Sequence, residues 1–266
     1  MATADQLTRL HYSPGSLKAV KARLKQLVDA GYVQADTIPT KMFRAPFYYT
    51  LGAKGLKYLS DLGFDREASW RASKEVDKSS MFVEHTLELN DVLIAAVLLK
   101  RANPQFDLYG FVHERELRRH PYKASWSSNG IMQAHTIIPD AYLEFRYARP
   151  DGGEDCYPIL LEHDRGTEEQ FYFRRRIRAY AMLFKSGDYR RLFGTGVISI
   201  AFTTFKGEQR RDQMRAWTLK ELAAEPRLAD LFYFTSLSGG HLTPEVWLHT
   251  VWMMPYESTA SALIGA

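Results

Sequence analysis

The sequence predicts an α/β protein, with elements of both helix and strand in each of two parts. Three observations lead to this prediction. Helical patterns and one pair of short strands fill residues 1–63, and apolar runs of strand length alternate with helical patterns after residue 105. Between the parts, residues 64–80 are charged and rich in serine and lack clear periodicity, which is typical of a linker. We therefore expect a small N-terminal domain and a larger domain over 81–266 that combines helices and strands.

The composition favours a folded protein of a reducing compartment. Hydrophobic residues make up 45% of the 266 positions, which is enough for packed cores. The single cysteine, Cys156, excludes an internal disulfide framework. The longest strongly apolar run, 92–99, is far shorter than the roughly 20 residues that span a bilayer. With no signal-peptide pattern at the start, we expect a cytoplasmic protein without a membrane segment.

Charge and motifs narrow the classes of function. Lys plus Arg exceed Asp plus Glu by 35 − 31 = 4, a mild excess whose clustering matters more than its size. The chain has no G-x-x-x-x-G-K-[ST] loop and no G-x-S-x-G turn. Nucleotide hydrolysis and serine-hydrolase chemistry are therefore not indicated.

Residues 1–63 follow the order of a winged helix-turn-helix. A short helix at 4–11 is followed by a helix that has Ser16 as its N-cap and ends at Gly31. A hairpin pattern reaches residue 51, and a helix covers 53–62. In this motif the second helix lies in a major groove of DNA.

Cations on the second helix and on the hairpin loop are the candidate DNA-binding residues. Three lysines fall on one flank of that helix. A lone basic flank is commonly just a solvated helix face, but the hairpin pattern beside it favours double-stranded DNA as the partner. The candidate residues are Lys18, Lys21, Arg23, Lys25, Lys41 and Arg44.

The C-terminal part is organised around residues 137–180. This stretch predicts an apolar strand that carries Pro139 and Asp140, a turn, a second apolar strand, and a basic helix that starts at a Thr167 capping box. We expect a helix at 81–100, a strand at 106–116 and a polar loop at 118–130 before it. A strand at 196–205, a helix at 208–225 and a strand at 231–236 follow.

Three acids are predicted to meet at one edge of this sheet. Alternation places Glu162 and Asp164 on one face and His163 on the other. Pairing of the two strands would bring Asp140 beside Glu162, where like charges need a cation or a proton. Oxygen ligands of this kind suit Mg²⁺ or Mn²⁺, so Asp140, Glu162 and Asp164 are the candidate metal ligands. Two structural alternatives stay open: Asp140 could serve a turn, and Asp164 could pair with Arg165 or with arginines of the helix.

This layout resembles the PD-(D/E)xK nuclease superfamily. Its pattern is Pro-Asp on one strand and acid-x-Lys on the next, followed by a helix; Pro139, Asp140 and Glu162 match, and Asp164 stands in the lysine position. The resemblance implies a nuclease-like α/β domain over 81–266, with a central mixed sheet flanked by helices. The catalytic candidates are Asp140, Glu162, Asp164, Arg176 and Tyr180. Arg176 would supply the charge of the missing lysine, but an arginine cannot act as a base.

Four segments in order resemble a narrower family, the bacterial replication-relaxation proteins of plasmids and other mobile elements. They are HTLELNDVLIAA at 85–96, PDA at 139–141, E-x-DRGTE at 162–168 and the basic helix ending in tyrosine at 174–180. The resemblance implies a DNA-binding role in replication, relaxation or mobilisation, with other replication or mobilisation proteins as further partners. Two functions remain open: metal-dependent cutting of DNA, and a catalytically inactive regulator that only binds DNA or protein.

Overall fold

The structure is a computed structural model that describes residues 1–37, 46–64, 79–128, 130–238 and 242–265. It divides into two compact units, Met1–Ile94 and Ala95–Ala266. The mixed α/β class is confirmed, with a central mixed sheet of five strands in the second unit. Within these residues no helix is both long enough and apolar enough to cross a membrane.

In the described residues of the first unit, three short strands form an antiparallel sheet of order β1-β3-β2. Helices pack beside this sheet. Strand β1 was not expected from the sequence. It leads into α1 through a capping box, because the Thr3 side chain accepts from the Gln6 amide at 3.1 Å and Gln6 accepts from the Thr3 amide at 3.0 Å. The elements are β1 (Ala2–Thr3), α1 (Ala4–His11), α2 (Leu17–Asp29), β2 (Val33–Thr37), β3 (Phe47–Leu51) and α3 (Ala53–Asp61).

Helix α2 is amphipathic in the way its sequence predicts. Val20 and Leu24 are buried and pack with Ala4 of α1. Ser16 occupies the N-cap position, but its side chain makes no capping hydrogen bond. Gly31 has φ 78°, a left-handed conformation that favours glycine and turns the chain into β2.

Helix α4 (Ser80–Ala102) begins in the first unit and ends in the second. Its first half is held to α1, since Gln6 Nε2 donates to the Leu87 carbonyl at 2.8 Å and Arg9 Nη1 donates to Asp91 Oδ1 at 2.7 Å. Burial raises the pKa of Asp91, and its bonds to Gln6 and Arg9 oppose that rise. Residues 65–78 of the proposed linker lie outside the described residues, so the division into 1–63 and 81–266 stays a prediction.

The second unit is a five-stranded sheet of order β10-β9-β8-β7-β4 with helices packed on it. Strands β4, β7 and β8 are antiparallel neighbours, and β9 and β10 run parallel to β8. A separate two-stranded ribbon is formed by β5 and β6. The elements are β4 (Phe106–His113), α5 (Glu114–Leu117), β5 (Tyr122–Ser128), β6 (Ile131–Ile137), β7 (Ala141–Ala148), β8 (Glu154–Asp164), α6 (Gln170–Ser186), α7 (Asp188–Phe193), β9 (Ser199–Thr204), α8 (Glu208–Glu221) and β10 (Phe232–Ser236).

Two sequence predictions about strands in this unit are wrong. The predicted polar loop at 118–130 contains β5, where Ala124 is buried and Tyr122 and Trp126 are partly buried against the core. These three alternate with polar residues, which is the pattern of a strand with one buried face, and the prediction missed it. The strand predicted from Ile137 through Pro139 and Asp140 is interrupted: Ile137 ends β6, and β7 begins at Ala141. Proline has no N–H to donate to a sheet ladder, so the break falls there.

Two helix starts also differ from the prediction. The predicted strand 106–116 ends at His113, and Glu114 and Glu116 lie in α5. Helix α6 begins at Gln170 with Glu169 as its N-cap and no side-chain capping bond, so the Thr167 capping box is wrong.

Large aromatic side chains fill both sides of the central sheet. On one side, Phe173, Ile177 and Tyr180 of α6 are fully buried against the strands. On the opposite side of β7, Phe145 contacts Trp247 of the C-terminal tail, and Trp247 stacks on Trp252. The tail thus completes the core of this unit. Its place could not be read from the sequence.

Candidate functional site

The three predicted acids lie at the edge of the sheet where β7 begins and β8 ends. Ala141 pairs with Leu161 across the two strands, and the Asp140 amide donates to the Leu161 carbonyl at 3.0 Å. Asp140 therefore lies next to Glu162, and its Oδ2 accepts from the His163 amide at 2.7 Å. All three acids are buried, with 8%, 5% and 6% of Asp140, Glu162 and Asp164 exposed.

Glu162 is bound by two side chains of α6. Arg176 Nη1 donates to Glu162 Oε2 at 2.8 Å, and the Tyr180 hydroxyl donates to Oε1 at 2.5 Å. Burial raises the pKa of Glu162 to about 7; Arg176 opposes this rise, and Asp140 adds to it. Burial and the neighbouring Glu162 raise the pKa of Tyr180 well above its ordinary value, so its hydroxyl remains a donor. Both donors are among the catalytic candidates named from the sequence.

Arg176 also binds a second acid, Glu168, through Nη2 at 2.6 Å. Burial by itself lowers the pKa of Arg176, but Glu162 and Glu168 outweigh burial and raise it. Among the described residues, Glu168 Oε2 is buried without a hydrogen-bond partner. Glu168 was not singled out as a site residue, although it belongs to the E-x-DRGTE segment. This segment was the available signal.

Asp164 is bound by an arginine that the sequence did not indicate. Arg210 of α8 donates from Nε to Asp164 Oδ2 at 2.7 Å and from Nη2 to Oδ1 at 2.9 Å. Only 9% and 5% of the two side chains are exposed. Such two-pronged charged hydrogen bonds are strong and fix the carboxylate orientation. The sequence offered Arg165 or the arginines of the basic helix as partners for Asp164, whereas the ion pair seen in the structure is with Arg210 of α8.

The arrangement of these acids does not fit a divalent cation. In the part of the chain that the structure describes, no group of three or more His, Cys, Asp and Glu side chains is placed to hold a metal ion. Arg176 occupies one oxygen of Glu162, and Arg210 occupies both oxygens of Asp164. A cation bound by all three predicted ligands would have to displace these guanidinium groups.

His163 lies on the other face of β8, as the alternation predicts. Its Nδ1 is 2.9 Å from the Thr203 hydroxyl oxygen. Its ring packs edge-on against the Phe205 ring, with the two centroids 5.0 Å apart. Its side chain therefore lies on the face of β8 opposite to Glu162 and Asp164.

The candidate DNA-binding residues of α2 are all exposed. They lie away from the buried face formed by Val20 and Leu24. Lys25 pairs with Asp29 at 2.8 Å, and Arg23 donates to Gln26 at 3.2 Å. The remaining candidates of this helix, Lys18 and Lys21, form no ion pair with the described residues. Lys41 and Arg44 lie outside the described residues.

The chain was compared with known protein families, with curated proteins and with solved structures. The family model described as replication-relaxation matches residues 1–197. This span includes Asp140, Glu162 and Arg176, whereas Arg210 lies beyond it. No match was found among curated proteins or among solved structures.

Proposed function

This chain belongs to the replication-relaxation family, and on that premise we propose that it binds double-stranded DNA of a plasmid or other mobile element through its N-terminal unit. We further propose that its nuclease-like domain holds DNA or a protein partner without cutting DNA. The observation that carries the second part is the pairing of the acids, since Glu162 and Asp164 are each bound to a buried or half-buried arginine.

The exposed flank of α2 supports duplex binding. Lys18, Lys21 and Lys25 project to solvent, while the opposite face of the helix packs on α1. Lysines on an exposed helix contact DNA phosphates and release counterions, which makes affinity fall as salt rises. Strands β2 and β3 pair antiparallel directly after α2, and this order of helix and hairpin supports the winged-helix hypothesis.

Internal ion pairing supports a domain that does not cut. In a cutting site the acids hold a metal ion that orients water and stabilises charge on the phosphate. Here Arg176 and Arg210 already neutralise Glu162 and Asp164. A metal ion bound to these acids would displace the two guanidinium groups and separate their charges from the carboxylates. Metal binding would therefore destabilise the folded domain.

A second candidate, metal-dependent nicking, is favoured by one observation. Asp140 directly precedes β7, Glu162 lies on the adjacent β8, and α6 follows. This order matches the superfamily pattern apart from the lysine. Nicking would require Arg176 and Arg210 to release the acids when substrate binds.

The duplex-binding proposal is tested by changing Lys18, Lys21 and Lys25 together to Ala. We expect weaker binding of a labelled duplex, measured by fluorescence anisotropy over a range of salt. The slope of log K against log salt should become shallower by about 0.9 for each lost phosphate contact. The matched control removes three exposed arginines of the second unit, Arg190, Arg191 and Arg227, and should bind as the unchanged protein does. Equal affinity and slope in the folded lysine variant would overturn the proposal.

A further inference from the structure

A groove of about 600 Å³ lies in the second unit, away from the acid cluster. Its walls come from the β5–β6 ribbon, the first turns of α6 and the end of α8, which contribute Trp126, Phe171 and Lys220. None of the contacts described for the acids uses these three residues.

Exposed aromatic rings stand at this groove. Phe171 is 59% exposed and lines it, and the neighbouring Tyr172 is 53% exposed. The two rings meet edge-on with centroids 5.4 Å apart. The next residue, Phe173, is fully buried, so only the first turn of α6 presents aromatic faces to solvent. Trp126, partly buried on β5, adds a second ring to the lining.

Two cations lie among these rings. The Arg175 guanidinium is 5.5 Å from the Phe171 ring centroid, and its Nη2 donates to the Ala134 carbonyl at 2.6 Å. Among the described residues, Arg175 Nε is buried without a hydrogen-bond partner. Lys220 is exposed and forms no ion pair with any described residue.

The charge of the groove favours an anion. Of its two acids, Glu221 is already neutralised by Arg174 and by Arg178, each at 2.8 Å. Among the described lining residues, Glu169 is then the one acid left to oppose the positive charges of Arg175 and Lys220.

We propose that this groove binds single-stranded DNA. Unpaired bases would stack on Phe171, Tyr172 and Trp126, and the backbone phosphates would lie against Arg175 and Lys220. Cations interleaved with exposed aromatic rings are what single strands require, because every base has a face that can stack once it is unpaired. A duplex keeps those faces covered. The groove shares no residue with the flank of α2, so this inference does not depend on the proposed duplex binding.

The test uses the full chain and a fluorescently labelled oligothymidine of 12 nucleotides. Phe171→Ala should weaken its binding by roughly 5- to 150-fold, which corresponds to about 1–3 kcal/mol for one stacked base. Phe171→Trp should retain it. Lys220→Ala should make the salt slope shallower by about 0.7. Phe111→Ala, which removes an exposed ring from β4, is the matched control and should bind as the unchanged protein does.

Two outcomes would overturn the proposal. One is an unchanged protein that fails to bind the oligonucleotide, or a Phe171→Ala variant that binds it equally well. The other is loss of oligonucleotide binding in the variant with Lys18, Lys21 and Lys25 changed to Ala, because the strand would then be held by α2. Retained oligonucleotide binding in that variant, with duplex binding lost, would support two separate sites.

Discussion

Helices α2 and α6 both carry several cations, but they place them in opposite settings. The lysines of α2 are exposed, and Lys18 and Lys21 have no acidic partner among the described residues. On α6, Arg176 binds the buried Glu162, and Arg174 and Arg178 share Glu221. A basic helix is thus available to phosphate only where the fold supplies no carboxylate. The sequences of the two helices look alike in charge, and only the packing separates the exposed lysines of α2 from the paired Arg174, Arg176 and Arg178 of α6.

The largest effect in this comparison is expected for Arg210, the brace of Asp164. Arg210→Ala leaves Asp164 buried without a counter-charge, and we expect the free energy of unfolding to fall by about 3–5 kcal/mol. Urea denaturation measures this change. Changing Lys25, whose pair with Asp29 is exposed, to Ala is the matched control and should have little effect. A small effect at both positions would show that the buried pair is not a brace.

A pH-dependent effect is expected from Glu162. Its pKa is raised to about 7 in the folded protein from an ordinary 4.5, so the folded state holds a proton that the unfolded state has lost between these values. The stability from this group is complete below pH 4.5 and is lost as pH rises through 7. The unfolding free energy should therefore decline over that range more steeply in the unchanged protein than in Glu162→Gln. Urea unfolding at several pH values measures the difference, and parallel profiles would contradict the raised pKa.

A smaller effect is expected from the hydroxyl of Tyr180. Tyr180→Phe keeps the buried ring but removes one donor to Glu162, which should cost about 1–3 kcal/mol of unfolding free energy. The control, Tyr256→Phe, removes a donor to Asp230 at an exposed site. We expect it to change stability much less. Equal losses in the two variants would mean that burial of the Glu162 bond adds nothing.

The smallest effect is expected from limited proteolysis between the two predicted domains. The polar composition of 64–80 predicts cleavage there, leaving a stable fragment that begins near Met81. Because Gln6 and Arg9 bind α4, the N-terminal piece should stay attached to that fragment until denaturant is added. Size-exclusion chromatography after cleavage detects this. First cleavage within 137–185 would contradict the proposed division.

Local signals carried most of what the sequence could predict. Helices α1, α2 and α3 and strand β3 fall within a residue or two of their expected positions, because periodicity and turn residues lie within each segment. The placement of Asp140 beside Glu162 was likewise predictable, since two adjacent strands with a short turn must pair. Both acids then meet α6 because that helix follows directly.

Contacts between residues far apart in sequence, and one strand pair, were not predicted. The bond between Arg210 and Asp164 joins residues 46 apart in sequence, and no pattern marks Arg210 among the arginines of α8. The β5–β6 ribbon was missed although Tyr122, Ala124 and Trp126 alternate with polar residues, because the serines among them are also typical of a loop. The ion pairing that argues against a metal site is therefore visible only in the folded structure.

The central claim is that internal arginines hold the acids away from metal chemistry, and nicking of supercoiled plasmid tests it most directly. The unchanged protein, Glu162→Gln and Asp140→Ala would each be incubated with plasmid and Mn²⁺, and the relaxed fraction measured on a gel. We predict no nicking above background by any of the three. Metal-dependent nicking by the unchanged protein that disappears in both variants would contradict the account and establish the acids as a working site.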